Sequence, residues 1–200
     1  PLSHLAQKAP SWKGAAVFPS RMPVLMKNAF NPQPTLANDS VKLTPLGRQD
    51  WDELYAVASD PLIWEGHPAR DRWQEGPFRA FFEGALACGG AFAIRDARSG
   101  AMIGSSRYDF ERCGPGEVEV GWTFLARSCW GGRVNLEVKR LMVGHALEHF
   151  ERVLFLVGRT NLRSRRAMEK LGAALSERTE DASIGDRNVS HVVYVIDRAA

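Results

Sequence analysis

From Val41 onward the apolar and polar positions fall into regular patterns, and the period changes from element to element. The stretch VKLTPL alternates until it meets a proline, which predicts a short strand. In RQDWDELYAVAS the positions Trp51, Leu54, Tyr55 and Ala58 recur at helical spacing, with Asp50 as the expected N-cap. DPLIWEGHP breaks that helix and reads as a loop. RWQEGPFRAFFEGALA then predicts a second helix with Phe78, Phe81, Phe82 and Leu86 on one side, ended by Gly89 and Gly90.

Three strands follow. AFAIRD and AMIGSSRYDF are joined by ARSG, a hairpin signal whose glycine supplies a left-handed backbone position. CGPG turns the chain into EVEVGWTFL. Strict alternation would put Val118, Val120, Trp122 and Phe124 on one face, and Glu117, Glu119, Gly121 and Thr123 on the other. A face with two carboxylates and a glycine meets either water or a site. NLEVKRLMVGHALEHFE is helical with a broad apolar arc, leaving Glu137, Arg140, Gly144, Glu148 and Glu151 on a polar strip. VLFLV is a continuous apolar run, typical of a central strand covered on both faces. NLRSRRAMEKLGA is a short helix capped by Asn161 and stopped by Gly172, and VSHVVYVID is a last alternating strand. The order predicts an α/β fold with a mixed sheet, antiparallel early, and a crossover helix between the strands ending at Leu125 and Val157.

Residues 1–38 differ from the rest: they hold six of the 11 prolines and no Asp or Glu. They are expected to form an irregular extension outside a single domain spanning residues 39–200. Met26 reads as a natural start, which would leave the residues before it outside the natural chain. A length of 200 residues suits one domain with a full core. No apolar run reaches membrane-spanning length. A net charge of +3 is too mild to argue for nucleic acid, and the basic stretches lack interleaved aromatics. Cys88, Cys113 and Cys129 are odd in number and widely spaced, which predicts reduced thiols in a cytoplasmic setting and no metal site.

Chemistry concentrates in RSCWGGRVNLE, where a strand, a pair of glycines and a buried helix follow one another. A helix start offers unpaired N–H groups and partial positive charge, and glycines let phosphate oxygens approach them. No GK[ST] follows, so this is not a Walker A loop, and G-x-G-x-x-G is absent.

VEVGWTFLARSCWGGRVNLEVKRL followed by NLRSRRAMEKLGA resembles the GNAT superfamily of acyl-CoA N-acyltransferases. The resemblance runs from about Val41 to Asp197 and is nearest to the branch that acetylates ribosomal-protein N-termini. It implies a mostly antiparallel mixed sheet with a β-bulge and a splay between two strands, flanked by helices. It further implies acetyl-CoA as cosubstrate, without a metal, and an amine acceptor as partner; a homodimer is compatible with it. Pantetheine is expected along Phe124, Leu125 and Ala126, and the pyrophosphate on Gly131, Gly132, Arg133, Val134 and Asn135. Asn161 and Arg166 of the last helix are expected near CoA, Arg166 within the basic group Arg159, Arg163, Arg165 and Lys170.

The loop departs from the family pattern: Ser128, Gly131 and Arg133 stand where Gln or Arg, Gly, and Gly or Ala are usual, and Arg127 is one residue out of register. Arg133 is expected to point outward to a phosphate oxygen. Met168 replaces the family's proton-donating tyrosine, so Ser164 is the candidate to assist the leaving thiol. Ala173 replaces a bulky aromatic.

Amide formation needs a neutral amine, and a strand carboxylate can take its proton as it attacks. Glu119 matches the family's base position, with Glu117 beside it. Trp64, His67, Arg107 and Tyr108 are expected to shape the acceptor pocket. The reading from sequence is an N-acetyltransferase acting by direct attack in a ternary complex; the alternative is a non-catalytic CoA-binding module of the same fold.

Overall fold

The computed structural model describes residues 30–184 and 187–199. One eight-stranded sheet has the order β1-β2-β3-β4-β5-β6-β8-β7. Its strands are β1 (Leu36–Ala37), β2 (Val41–Pro45), β3 (Ala91–Asp96), β4 (Met102–Asp109), β5 (Glu117–Leu125), β6 (Arg152–Gly158), β7 (Ala174–Ile184) and β8 (Arg187–Asp197). All neighbours pair antiparallel except β5 and β6, which are parallel and joined through helix α3 (Val134–Leu147). Helices α1 (Trp51–Ala58) and α2 (Glu75–Ala87) precede β3, and α4 (Leu162–Leu171) connects β6 to β7.

Apolar side chains on the two faces of the sheet make two cores. One joins Val118, Val120 and Leu125 to Val138, Met142 and Ala146 of α3 and to Met168 of α4. The other joins Leu54, Phe78 and Phe82 of α1 and α2 to Ala91, Ala93 and Phe124. Phe124 therefore does not share a face with Val118 and Val120, as alternation predicted. The cause is a bulge: Ser105 opposes Phe124 and Arg107 opposes Gly121, so two residues of β5 lie across from Ser106 alone. Trp122 occupies the extra place at φ +50°, a left-handed conformation that is strained for a bulky residue. Beyond it, odd positions face α3.

Local chemistry explains most element ends. Asn161 Oδ1 accepts from Ser164 N at 3.1 Å, and Gly172 closes α4 at φ +88°, as its sequence predicts. Asp50 precedes α1 but does not cap it; its carboxylate accepts from Gly47 N and from Arg95 Nη2 instead. Helix α2 begins at Glu75, not at Arg72. Strand β7 has no counterpart in the sequence reading, because an edge strand half in solvent needs no apolar face.

The expected boundary at residue 38 falls inside the fold. Phe30 is buried among Tyr108, Phe110, His145 and Phe150, and β1 pairs with β2. The remainder of the expected extension, residues 1–29, lies outside the described residues. Among the described residues no helix is long and apolar enough to cross a membrane.

Candidate active site

The parallel pair β5 and β6 stays together for only three positions, Glu117 with Arg152, Val118 with Val153 and Glu119 with Leu154. Past them β5 follows β4 and β6 follows β8, so the sheet opens between Gly121–Leu125 and Phe155–Gly158. Backbone groups on the inner edge of β5 are left without a partner strand there. An extended ligand with amide groups can take that place, as a further strand would.

At the top of the opening the chain turns through Arg127–Cys129 and two glycines into α3. Gly131 holds φ +73°, which glycine adopts freely, and a Cβ there would meet nothing within 4 Å. The N-cap, Arg133, makes no side-chain cap, and Arg133 O accepts from Glu137 N, so the N–H groups before Glu137 precede the helical ladder. The N–H groups at the helix start are thus open, as a phosphate group requires. Arg133 is exposed at φ −87°, an ordinary conformation for its side chain. Arg127 is engaged elsewhere, in an ion pair with Asp60. Trp130 donates from Nε1 to Leu125 O at 3.1 Å and carries the Arg163 guanidinium 3.8 Å from its ring centre. A cavity of about 360 Å³ lies beside this loop, lined by Leu62, Glu65, Trp130, Asn161 and Arg163 among others.

Glu119 stands where the two strands part and is only 1% exposed. Its Oε1 accepts from Arg112 Nη2 at 2.8 Å, while its Oε2 is buried without a partner. Burial pushes the carboxyl up to about 7, against the pull of Arg112. Such a group takes up a proton near neutrality, as a general base must. Glu117 is tied down by Gly114 N and Arg178, so it is already employed in the turn before β5.

The sequence reading missed Lys139. This α3 side chain is 4% exposed and sends its Nζ into the opening, 2.6 Å from Thr123 Oγ1 and 5.5 Å from the Phe155 ring centre. Burial brings its ammonium down to about 7, partly opposed by Glu119. A lysine inside the apolar arc of α3 was the available signal, since buried lysines are rare.

The remaining expected residues divide. Ser164 is half-buried in the first turn of α4, and Met168 is packed in the core with no polar atom to offer. Asn161 lines the cavity, and Arg166 is exposed. His67 packs edge-on against Trp64, and burial followed by repulsion from Arg72 drives its imidazole down to about 3. Trp64 is a core residue bonded to Ala58 O, and its ring forms the wall on which His67 and Arg72 rest. Arg107 pairs with Asp109 at 3.1 Å and lies 3.6 Å from the Trp122 ring centre. Tyr108 is not brought to this group: it is fully buried on the α3 side, donating to Met142 O at 2.6 Å. Burial pushes the Cys113 thiol up to about 12 and raises Cys88 as well, which disfavours thiolate chemistry at either.

A family model described as an acetyltransferase (GNAT) domain matches residues 40–174. No curated protein sequence matches the chain significantly. Among solved structures, a GCN5-related N-acetyltransferase from Brucella melitensis superposes with a TM-score of 0.68 at 22% identity, covering 83% of this chain and 79% of that one. An acetyltransferase of the GNAT family from Bacillus anthracis gives 0.68 at 16% identity, covering 82% and 99%. Mycobacterium smegmatis RimJ, solved in complex with CoA-disulfide, gives 0.63 at 17% identity, covering 82% and 86%. At these identities the likeness speaks to the fold.

Proposed function

Because the chain belongs to the GNAT acetyltransferase family, we propose that it moves an acetyl group from acetyl-CoA to a primary amine by direct attack in a ternary complex. The observation that carries this reading is the parting of β5 and β6 directly after Glu119, below an uncapped helix start. The open N–H groups of the Gly131–Asn135 stretch and the space over Gly131 fit a pyrophosphate. The inner edge of β5 past Glu119, which β6 does not pair, fits pantetheine running on toward Phe124–Ala126.

In the proposed reaction Glu119 takes the amine proton, through water or directly, as nitrogen attacks the thioester carbonyl. The C–N bond forms, the C–S bond breaks, and the sulfur leaves as thiolate. Ser164 is the hydroxyl candidate near that sulfur. Lys139 adds a cation in the opening itself, where negative charge develops.

An acceptor screen that follows free CoA release, beside calorimetric binding of CoA, tests the reading. Saturable CoA binding with amine-dependent CoA release is the expected result. Binding without release from any amine would identify the chain as a non-catalytic CoA-binding module instead.

A further inference from the structure

Resting on the transferase reading above, we infer that the acceptor is a primary amine carrying a carboxylate, held by Arg72 and Arg107 on the face of β5 that bears Glu119.

Three arginines gather there. Arg107 and Arg112 both lie over the Trp122 ring, at 3.6 and 5.0 Å from its centre. Arg72 lies 4.6 Å from the ring centre of Phe81 and 5.7 Å from that of Trp64, close enough to Arg107 that the two repel. Two of the three have carboxylate partners: Arg107 faces Asp109, and Arg112 faces Glu119. Arg72 has neither an ion pair nor a hydrogen bond among the described residues, and only its chain neighbour Asp71 offsets its charge. Burial and the repulsion from Arg107 bring its guanidinium down to about 10. Arg107, in addition, keeps a buried Nε with no partner.

Gathering cations in a desolvated place is unfavourable unless an anion completes it. Among the described residues no acidic side chain forms an ion pair with Arg72, and the carboxylate paired with Arg107 is Asp109. Two guanidinium forks are suited to a planar carboxylate, and the aromatic walls Trp64, Phe81 and Trp122 hold them rigid. Arg112 bonds to Glu119 and shares the Trp122 ring with Arg107, which ties the anion site to the base. His67, kept neutral beside Arg72, adds no competing charge.

The test uses matched acceptors: α-amino acids against their α-amides, and peptides beginning with Glu against those beginning with Gln. Each pair is followed by CoA release and by calorimetric titration into the CoA-loaded protein. An α-amide has the less basic amine, so intrinsic reactivity near neutral pH cannot produce a preference for the acid. Acids are expected to exceed amides about tenfold or more in kcat/KM and in affinity. Whether free amino acids or Glu-initiated peptides show that preference identifies the source of the carboxylate. In Arg72→Gln the acid-to-amide ratio should fall to about one while CoA affinity and thermal stability are retained. Equal or better use of amides by the wild-type protein overturns the inference, as does a ratio unchanged in Arg72→Gln, or no binding of any acid. Failure of the transferase reading looks different: acids bind with Arg72 dependence, yet no CoA is released.

Discussion

Lys139 Nζ donates to Thr123 Oγ1 across 2.6 Å, so an α3 side chain reaches the inner edge of β5 just past the point where β6 leaves it. Thr123 lies 2.7 Å from Ser106 Oγ, and Ser106 in turn donates to Gly121 O. The polar chain crosses the bulge around Trp122. The bulge makes it possible, because it turns Thr123 to the α3 side, where strict alternation would have aimed it away.

Replacing Lys139 with Met keeps the stem and deletes the charge. Removing a buried ammonium held by its hydrogen bond to Thr123 should leave thermal stability equal or higher. Turnover should fall about 100-fold if the cation acts on charge developing in the opening. Calorimetry with CoA and a thermal melt, run on the same preparation, separate this from misfolding. Full turnover in Lys139→Met would reduce Lys139 to a structural tie between α3 and β5.

Glu119 sets the expected pH profile. Its pKa is raised to about 7 by burial, so the ascending limb of kcat/KM should lie near that value, while loss of the Lys139 charge, also near 7, sets the descending limb. Glu119→Gln should lose the ascending limb and about 10²–10⁴ in rate, with CoA affinity retained. Stability runs the other way. A raised folded pKa stabilises fully below the unfolded value of 4.5, and that contribution is lost as pH rises through about 7. Glu119→Gln should therefore melt progressively higher than wild type as pH goes from 5 to 8. Arg112, partly exposed, can turn to solvent when its partner is gone.

Periodicity and capping residues made most of this fold legible. Asn161 and Gly172 bounded α4, and the apolar run of β6 announced a central strand because such strands bury both faces. Two kinds of feature escaped. Strand β7 carries charges on an edge, so no apolar rhythm marks it. The bulge at Trp122 is a backbone event with no residue signature, for tryptophan is not a left-handed residue by preference. That single unread step displaced Phe124 to the other core and Thr123 toward Lys139. In the candidate site, the place of Glu119 on β5 was legible through its motif. Arg72 and Lys139 were not, since their meaning comes from burial and from partners far away in sequence.

Phe30 tests where the folded unit begins. It is 6% exposed and packs against Tyr108 and Phe150 at ring separations of 5.4 and 4.9 Å. Phe30→Ala should cost about 3–5 kcal/mol, the usual range for emptying such a place. Denaturant unfolding measures it. Deleting residues 1–38 should lower that stability, because it removes Phe30 and β1. A loss below 1 kcal/mol for Phe30→Ala would mean that this segment merely rests on the surface.

The loop before α3 separates backbone from side-chain contributions to CoA binding. Gly131 holds φ +73°, so Gly131→Ala forces a left-handed conformation costing about 1–2 kcal/mol, although its Cβ would touch nothing. The loop should relax out of that conformation and turn its N–H groups away, weakening CoA about tenfold. Arg133 differs: at φ −87° it is unstrained, and its exposed guanidinium is free to meet a phosphate oxygen. Arg133→Gly should weaken CoA only a few-fold, by about 1 kcal/mol or less, and flatten the salt dependence of binding. Calorimetry at two ionic strengths checks both. If Arg133→Gly left affinity and its salt dependence unchanged, the guanidinium would have no part in the phosphate site. If Gly131→Ala bound CoA as well as wild type, the N–H groups at the start of α3 would not be what holds the pyrophosphate.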